Sequence, residues 1–135
     1  METGQGGEIE FSGPGALADR VGIVIMEAKA ERAVGTMPVE GNTQPLGVLH
    51  GGASCVLAET LGSIAGTMHA AEVGGYVVGV DINATHHRSV RSGLVTGVAS
   101  ALYLGGSICT YDIVITNEDG DRVCTARLTC SVRRG

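Results

Sequence analysis

A long apolar stretch, residues 47–66, contains a single carboxylate, that of Glu59. The residues one helical turn away from it are uncharged: Cys55, Val56, Gly62 and Ser63. Glu59 therefore belongs to no charged helix face, and an ionisable group in apolar surroundings is costly unless it is paired or used. We interpret Glu59 as a functional residue, and a solvated helix face is the alternative.

A second candidate, Gly51, lies where the helix containing Glu59 is expected to begin. The first backbone N–H groups of a helix are unpaired and lie at the positive end of its dipole, so a glycine there can present an N–H to an oxyanion. Eight residues separate Gly51 from Glu59, which corresponds to roughly 12 Å along a helix axis. One helix cannot easily supply both groups to one small site, and the spacing therefore predicts that two chains meet there.

Three further polar residues accompany this pair. Ser63 follows Glu59 by four residues and shares its helix face, where its hydroxyl could hold a water or the carboxylate, or simply allow close packing. His50 precedes Gly51 and is either a site residue or a helix-entry residue bonded to backbone. Gln44 lies in a loop, where its composition alone favours a solvated side chain.

Residues 86–91 form the most basic short stretch of the chain, and they include His86, Arg88, Ser89 and Arg91. Arginines at a strand end are usually solvated. Adjacent histidines in a strand point to opposite faces, which disfavours joint metal ligation. The four cysteines form no C-x-x-C pair, so we expect reduced thiols and no metal site.

Composition limits the class of protein. With 135 residues, 44% of them hydrophobic, the chain fits one domain, which we place at residues 9–135 after a flexible, Gly-rich leader at residues 1–8. A formal charge of −5 argues against a nucleic-acid partner. The N-terminus does not resemble a signal peptide, and no apolar run suits a membrane span, so we expect a cytoplasmic protein.

The local patterns predict one central helix among several strands. We expect a helical turn at residues 16–20, strands at 21–26 and 29–39, and the helix from about residue 51 to 69. Further strands are expected at 76–82, 94–104, 108–116 and 122–132, with hairpin turns at 105–106 and 117–120. This order, β-β-α-β-β-β-β, predicts an α+β domain with a mainly antiparallel sheet packed on one helix.

Taken together, these residues resemble a known enzyme family. The run Gln-Pro-Leu-Gly-Val-Leu-His-Gly-Gly at residues 44–52 is followed by Ala-Glu-Thr at 58–60 and Gly-Ser at 62–63. This pattern resembles the hotdog-fold acyl-CoA thioesterases of the phenylacetate-degradation and menaquinone-pathway type, near the 4-hydroxybenzoyl-CoA thioesterase group that uses a helix glutamate. The resemblance covers residues 20–132. It implies a curved sheet wrapped around the helix, and active sites at a dimer interface with Gly and Glu from opposite chains.

The resemblance also implies a role for each candidate. Glu59 would be the nucleophile or the general base that activates water, and the N–H of Gly51 would hold the developing oxyanion. Gln44 and His50 would orient the thioester, and Ser63 would assist water or Glu59. Arg88 and Ser89, with His86 and Arg91, would meet the phosphates of coenzyme A.

The resulting expectation is hydrolysis of an aromatic or medium-chain acyl-CoA to free acid and CoA without a metal or redox cofactor. A homodimer is expected, and a tetramer built as a dimer of dimers is the next level of assembly. Three alternatives stay open: a noncatalytic acyl-CoA-binding module, a hotdog dehydratase, and a thioesterase for carrier-protein esters.

Overall fold

The computed structural model describes residues 13–134. A short helix, α1 (Ala16–Val21), precedes strands β1 (Val24–Ala28) and β2 (Arg32–Pro38), and the long helix α2 (Gly51–Ala71) follows them. The remaining strands are β3 (Gly75–His86), β4 (Leu94–Leu104), β5 (Ile108–Thr116) and β6 (Arg122–Arg134). The predicted order is confirmed, and α1 lies where a helical turn was expected. The leader predicted at residues 1–8 lies outside the described residues.

Several predicted boundaries were wrong by a few residues. The first strand begins at Val24 rather than at residue 21, because Val21 completes α1 and Gly22, with φ of 84°, ends that helix. The second strand begins at Arg32, because a turn closed by a 2.8 Å hydrogen bond from Lys29 N to Arg32 O joins it to β1. β3 continues to His86, which makes that residue part of a strand.

The six strands form one antiparallel sheet in the order β1-β2-β4-β5-β6-β3. Helix α2 packs across one face of it, and this is the hotdog fold that the resemblance implied. Every second residue of β5 faces the helix and is buried, as is typical of a sheet with one covered face. Tyr111 is one of these residues, and its hydroxyl donates to the carbonyl of Ala30 at 2.6 Å. Burial raises the pKa of this tyrosine.

Glycines on the strands and on the helix allow the backbones of α2 and the sheet to lie close together. A Cβ on Gly97 would lie 2.7 Å from Cδ1 of Leu61, so the helix leucine fills the space above a strand glycine. The reverse arrangement occurs on the helix, where a Cβ on Gly62 would lie 2.6 Å from Cδ2 of Leu128. The contact with Leu128 explains why a glycine occupies position 62, although a glycine inside a helix costs about 1 kcal/mol relative to alanine.

β3 is an edge strand of 12 residues, and most of its residues are exposed. Its register with β6 shifts between Gly79 and Asp81, so a bulge interrupts the strand at Val80. The face of α2 near this edge is less buried than the rest, and Glu59 is exposed there. Among residues 13–134, no helix combines the length and the apolar character that a membrane crossing requires.

The Gly62→Val substitution tests the close approach of α2 and β6. We expect it to lower the free energy of unfolding by about 1–3 kcal/mol, because the added methyl groups overlap the Leu128 side chain. Urea denaturation measures the change. Ala71→Val, at the exposed end of α2, is the control for the β-branched side chain and should cost less than about 0.7 kcal/mol. Equal losses in the two variants would contradict the packing explanation.

Candidate functional site

A short, internally bonded loop leads the chain into α2. His50 N donates to Asn42 O at 2.8 Å, and Gln44 N donates to Val48 O at 2.9 Å. The Gln44 side chain accepts a hydrogen bond from Leu46 N within the same loop. His50 is the N-cap of α2, and its Nδ1 accepts from Gly52 N at 2.8 Å. Of the two interpretations of His50, the structure therefore shows the residue bonded to backbone, where it fixes the start of the helix.

A cavity of about 340 Å³ lies at the start of α2. The backbone N–H of Gly51 is the first of the helix and donates to no group among residues 13–134. The imidazole of His86 packs directly against this glycine, because a Cβ on Gly51 would lie only 2.9 Å from Nε2 of His86. Ten residues line the cavity: Gln44, Val48, Leu49, Gly51, Ser54, His86, His87, Arg88, Ser89 and Val123.

A second cavity, of about 330 Å³, lies further along α2 and contains Glu59. Ser63, Thr60 and Thr67 from the same helix line it together with Ile64 and the chain preceding α1. The Glu59 carboxylate also lies over β3, because a Cβ on Gly79 would be 2.7 Å from its Oε2. Burial, and the negative charge of Glu59 one turn away, raise the pKa of the Cys55 thiol.

The structure thus divides the predicted site residues between two places on one helix. Gln44, Gly51, His86, Arg88 and Ser89 surround the first cavity, and Glu59 and Ser63 line the second. The separation agrees with the spacing derived from the sequence. Within one chain, the free N–H and the carboxylate do not face a common space.

Arg88 is the one permanently charged residue among the ten that line the first cavity, and no carboxylate is among them in the described part of the chain. Arg88 is exposed, and its Nε lies 3.9 Å from Oδ2 of Asp121. Arg91 lies apart from the cavity and donates to the Leu46 carbonyl at 3.4 Å. His87 points away from the helix to Thr125 Oγ1, at 2.9 Å, so the two adjacent histidines occupy opposite faces as predicted.

Sequence reasoning missed two polar residues of this region. Ser54 is 1% exposed and lines the first cavity. Its position three residues after Gly51 was the available signal, since residues i and i+3 share a helix face. Arg122 is the other, and its guanidinium donates to the same Thr125 oxygen that His87 contacts, at 3.0 Å.

Cysteine and metal chemistry were expected to be absent from the site. Cys109, Cys124 and Cys130 are buried free thiols, and Cys55 is a half-buried one. No group of three histidine, cysteine or acidic side chains suited to a metal ion occurs among residues 13–134. The expectation that no metal takes part stays a prediction.

The sequence of this chain is similar to a known protein family and to individual members of it. Residues 46–124 match the family described as the Thioesterase superfamily. The chain is 45% identical to the proofreading thioesterase EntH of Cronobacter sakazakii over 119 residues, which is 87% of this chain and 86% of that protein. It is also 45% identical to EntH of Klebsiella pneumoniae over 125 residues, 92% of this chain and 90% of that protein.

Solved structures show the same similarity. A thioesterase from Haemophilus influenzae superimposes with a TM-score of 0.83 and 45% identity, covering 88% of this chain and 83% of that chain. A variant thioesterase from Pseudomonas aeruginosa superimposes with a TM-score of 0.82 and 42% identity, covering 87% of this chain and 86% of that chain.

The cap interaction of His50 leads to a stability prediction. Replacing His50 with alanine should lower the free energy of unfolding by about 1 kcal/mol, because Gly52 N–H loses its acceptor. His50→Asn retains a capping oxygen and should recover most of this loss. Urea denaturation of both variants measures the difference. A free energy of unfolding in His50→Ala equal to that of wild type would show that the cap contributes nothing to stability.

Proposed function

Because this chain belongs to the thioesterase superfamily and is a thioester hydrolase, we propose that it hydrolyses an acyl-CoA to free acid and CoA at a site shared by two chains. The acyl group is aromatic or medium-chain. The membership rests on the match of residues 46–124 and on relatives with more than 40% identity over most of the chain. The finer assignment, to the phenylacetate-degradation and menaquinone-pathway type, is part of the proposal.

One observation carries the proposal of a shared site. The free N–H of Gly51 and the carboxylate of Glu59 line different cavities of the same helix. Hydrolysis needs an oxyanion donor and an activating carboxylate within reach of one carbonyl carbon. A second copy supplies the missing group to each cavity if it places its own Glu59 beside the Gly51 of the first.

The free edge of β3 supports such a dimer. Within residues 13–134 no strand pairs with the outer edge of β3, so its 12 residues present backbone groups that another strand can bind. Antiparallel pairing of two β3 strands around a twofold axis joins the two sheets and also runs the two α2 helices antiparallel. The start of one helix then approaches the interior of the other. Glu59 already lies at this edge, over Gly79, and is exposed in the single chain.

In the proposed mechanism, the thioester carbonyl oxygen lies at the Gly51 N–H, where the helix dipole favours developing negative charge. Glu59 of the second chain either removes a proton from the attacking water or attacks the carbonyl carbon itself. Collapse of the tetrahedral intermediate breaks the C–S bond. In the general-base route the free acid forms directly, and the proton that Glu59 took from water passes to the thiolate sulfur, so that CoA leaves as the thiol. In the nucleophilic route an acyl–Glu59 anhydride forms, the thiolate takes a proton from water, and a second water cleaves the anhydride to free acid and the restored carboxylate. Ser63 assists the water or Glu59, Gln44 orients the thioester, and His50 fixes the helix start. No metal or redox cofactor is required.

The side of the first cavity that contains Arg88 is proposed to bind the nucleotide part of CoA. Arg88 and Ser89 lie at its mouth, and a guanidinium suits phosphate because its donors form a planar fork. Arg91 lies beyond them and would contact the outermost phosphate. His86 lies deeper, against Gly51, so its contact would be with the part of CoA nearest the thioester.

A subunit-mixing experiment tests the shared site. Gly51→Pro removes the N–H at the first helical position, where the helix backbone suits proline. Because a Cβ at this position also presses on the His86 imidazole, Gly51→Ala, which keeps the N–H, is measured beside it. Glu59→Gln removes the carboxylate with little change of shape. Alone, Gly51→Pro and Glu59→Gln should each lose at least about 100-fold in kcat, measured as thiol release from a panel of aromatic and aliphatic acyl-CoAs. After unfolding and refolding together, half of the dimers are mixed, and each mixed dimer has one intact site. The mixture should regain about a quarter of wild-type activity.

Glu72→Gln, at the exposed end of α2, is the control for loss of a carboxylate and should retain full activity. No recovery on mixing would contradict the shared site. A kcat of Glu59→Gln within a fewfold of the wild-type value would contradict the role of Glu59. A wild-type protein that releases no thiol from any ester of the panel would contradict acyl-CoA as the substrate class.

The phosphate contact of Arg88 is tested by shortening the substrate. Arg88→Ala should raise KM for an acyl-CoA about tenfold, because a charge-assisted contact to phosphate is lost. It should leave KM unchanged for a thioester of the same acyl group that lacks the nucleotide. Arg20→Ala, on α1, is the charge-matched control. Equal effects of Arg88→Ala on both substrates would exclude the nucleotide contact.

A further inference from the structure

We propose that the Ser54 hydroxyl is a second hydrogen-bond donor to the substrate carbonyl oxygen, beside the N–H of Gly51. The proposal rests on the thioester hydrolysis at the helix start described above. It assigns a function to a residue that neither the sequence motif nor the family resemblance identified.

Ser54 differs from every other polar residue of the core. Among residues 13–134 it is buried, with 1% of its surface exposed, and it lines the cavity at the helix start, whereas the hydroxyl of the other buried residue that carries one, Tyr111, donates to Ala30 O. Its backbone N–H donates to His50 O at 3.3 Å, but its hydroxyl has no hydrogen-bond partner in the described part of the chain. A buried hydroxyl without a partner lowers stability, so a ligand that supplies one is a physical reason for its presence.

Thr67, on the same helix, shows one way in which a helical hydroxyl finds a partner within its own helix. Its Oγ1 donates to the carbonyl of Ser63, four residues earlier, at 2.8 Å. Serine and threonine inside helices commonly satisfy themselves in this way. The Ser54 hydroxyl does not form the equivalent bond to His50 O and is therefore available to the cavity.

The position of Ser54 in α2 places its side chain over the turn that contains Gly51, and both residues line the same cavity. Side chains in a helix tilt toward its N-terminus, so a residue covers the surface of the turn before it. Ser54 follows Gly51 by three residues and shares its face. Gly51 has no side chain, and the His86 imidazole packs against the place that a Cβ of Gly51 would occupy.

A carbonyl oxygen has two lone pairs and can accept from both donors, and a serine hydroxyl has one proton to donate. Both hydrogen bonds strengthen as negative charge develops on the oxygen during attack. Ser54 therefore acts chiefly in the transition state, and its loss should lower kcat rather than raise KM.

Kinetics and stability of Ser54→Ala test the proposal together. We expect kcat for acyl-CoA hydrolysis to fall about 10- to 100-fold with KM within twofold of wild type. The melting temperature should be equal to or above that of wild type, because a buried group without a partner has been removed. Ser54→Cys fills the same space with a weaker donor and should also lose activity. Ser100→Ala, at an exposed strand position, is the control and should behave as wild type.

A structural role for Ser54 would produce the opposite result: a lower melting temperature with kcat within twofold of wild type. That outcome would overturn the proposal. Full activity in Ser54→Cys would overturn it as well, since it would show that volume and not hydrogen bonding matters.

A binding measurement separates this proposal from the proposed function. The probe is an inert CoA thioether ketone with a 13C-labelled carbonyl, in which a methylene separates the sulfur from the carbonyl carbon. Binding to the wild-type protein should move the carbonyl 13C resonance of the probe downfield of its value in free solution. When the probe is bound to Ser54→Ala, the resonance should lie between the free value and the value in the wild-type complex. An identical resonance in both proteins would overturn the role of Ser54. A changed resonance would support it even if mixing of the Gly51 and Glu59 variants restored no activity.

Discussion

The close approach of helix α2 to the sheet is the constraint on which the rest of the structure depends. At three contacts between α2 and the sheet, a large side chain lies over or beside a glycine: Leu61 over Gly97, Leu128 over Gly62, and Val77 beside Gly66. With one phenylalanine and no tryptophan in the chain, aliphatic side chains must fill the core, and they do so only if the backbones lie near each other. A helix with low intrinsic propensity is therefore held by tertiary packing.

The same pairing of a side chain with a glycine occurs at both halves of the proposed site. His86 lies over Gly51 at the start of the helix, and Glu59 lies over Gly79 at the edge strand. In the first pair the glycine leaves a backbone N–H accessible, and in the second it makes room for a carboxylate at the free edge of β3. The core contacts and the proposed site thus share this arrangement of a side chain over a glycine, and the two cavities differ in that one is lined by Arg88 and the other by the Glu59 carboxylate.

Capping connects helix stability with the proposed chemistry. His50 accepts from Gly52 N and so satisfies one of the free donors at the helix start, while the donor of Gly51 is left open to the cavity. Ser54 carries a polar group at the same end that the fold itself does not satisfy. In the proposed mechanism, the Gly51 N–H and the Ser54 hydroxyl bind an oxyanion, and leaving them without partners in the free protein costs some stability.

The sequence by itself determined the order of the elements, the identity of the long helix, and the pairing of a glycine and a carboxylate eight residues apart. These follow from local periodicity, turn residues and helix geometry, which need no knowledge of distant contacts. It did not determine that His86 packs on Gly51, that His50 is a cap, or that Ser54 is buried without a partner. Those facts depend on β3 continuing to residue 86 and on the depth at which α2 packs against the sheet. They are set by contacts between segments far apart in the chain, and only the tertiary structure decides them.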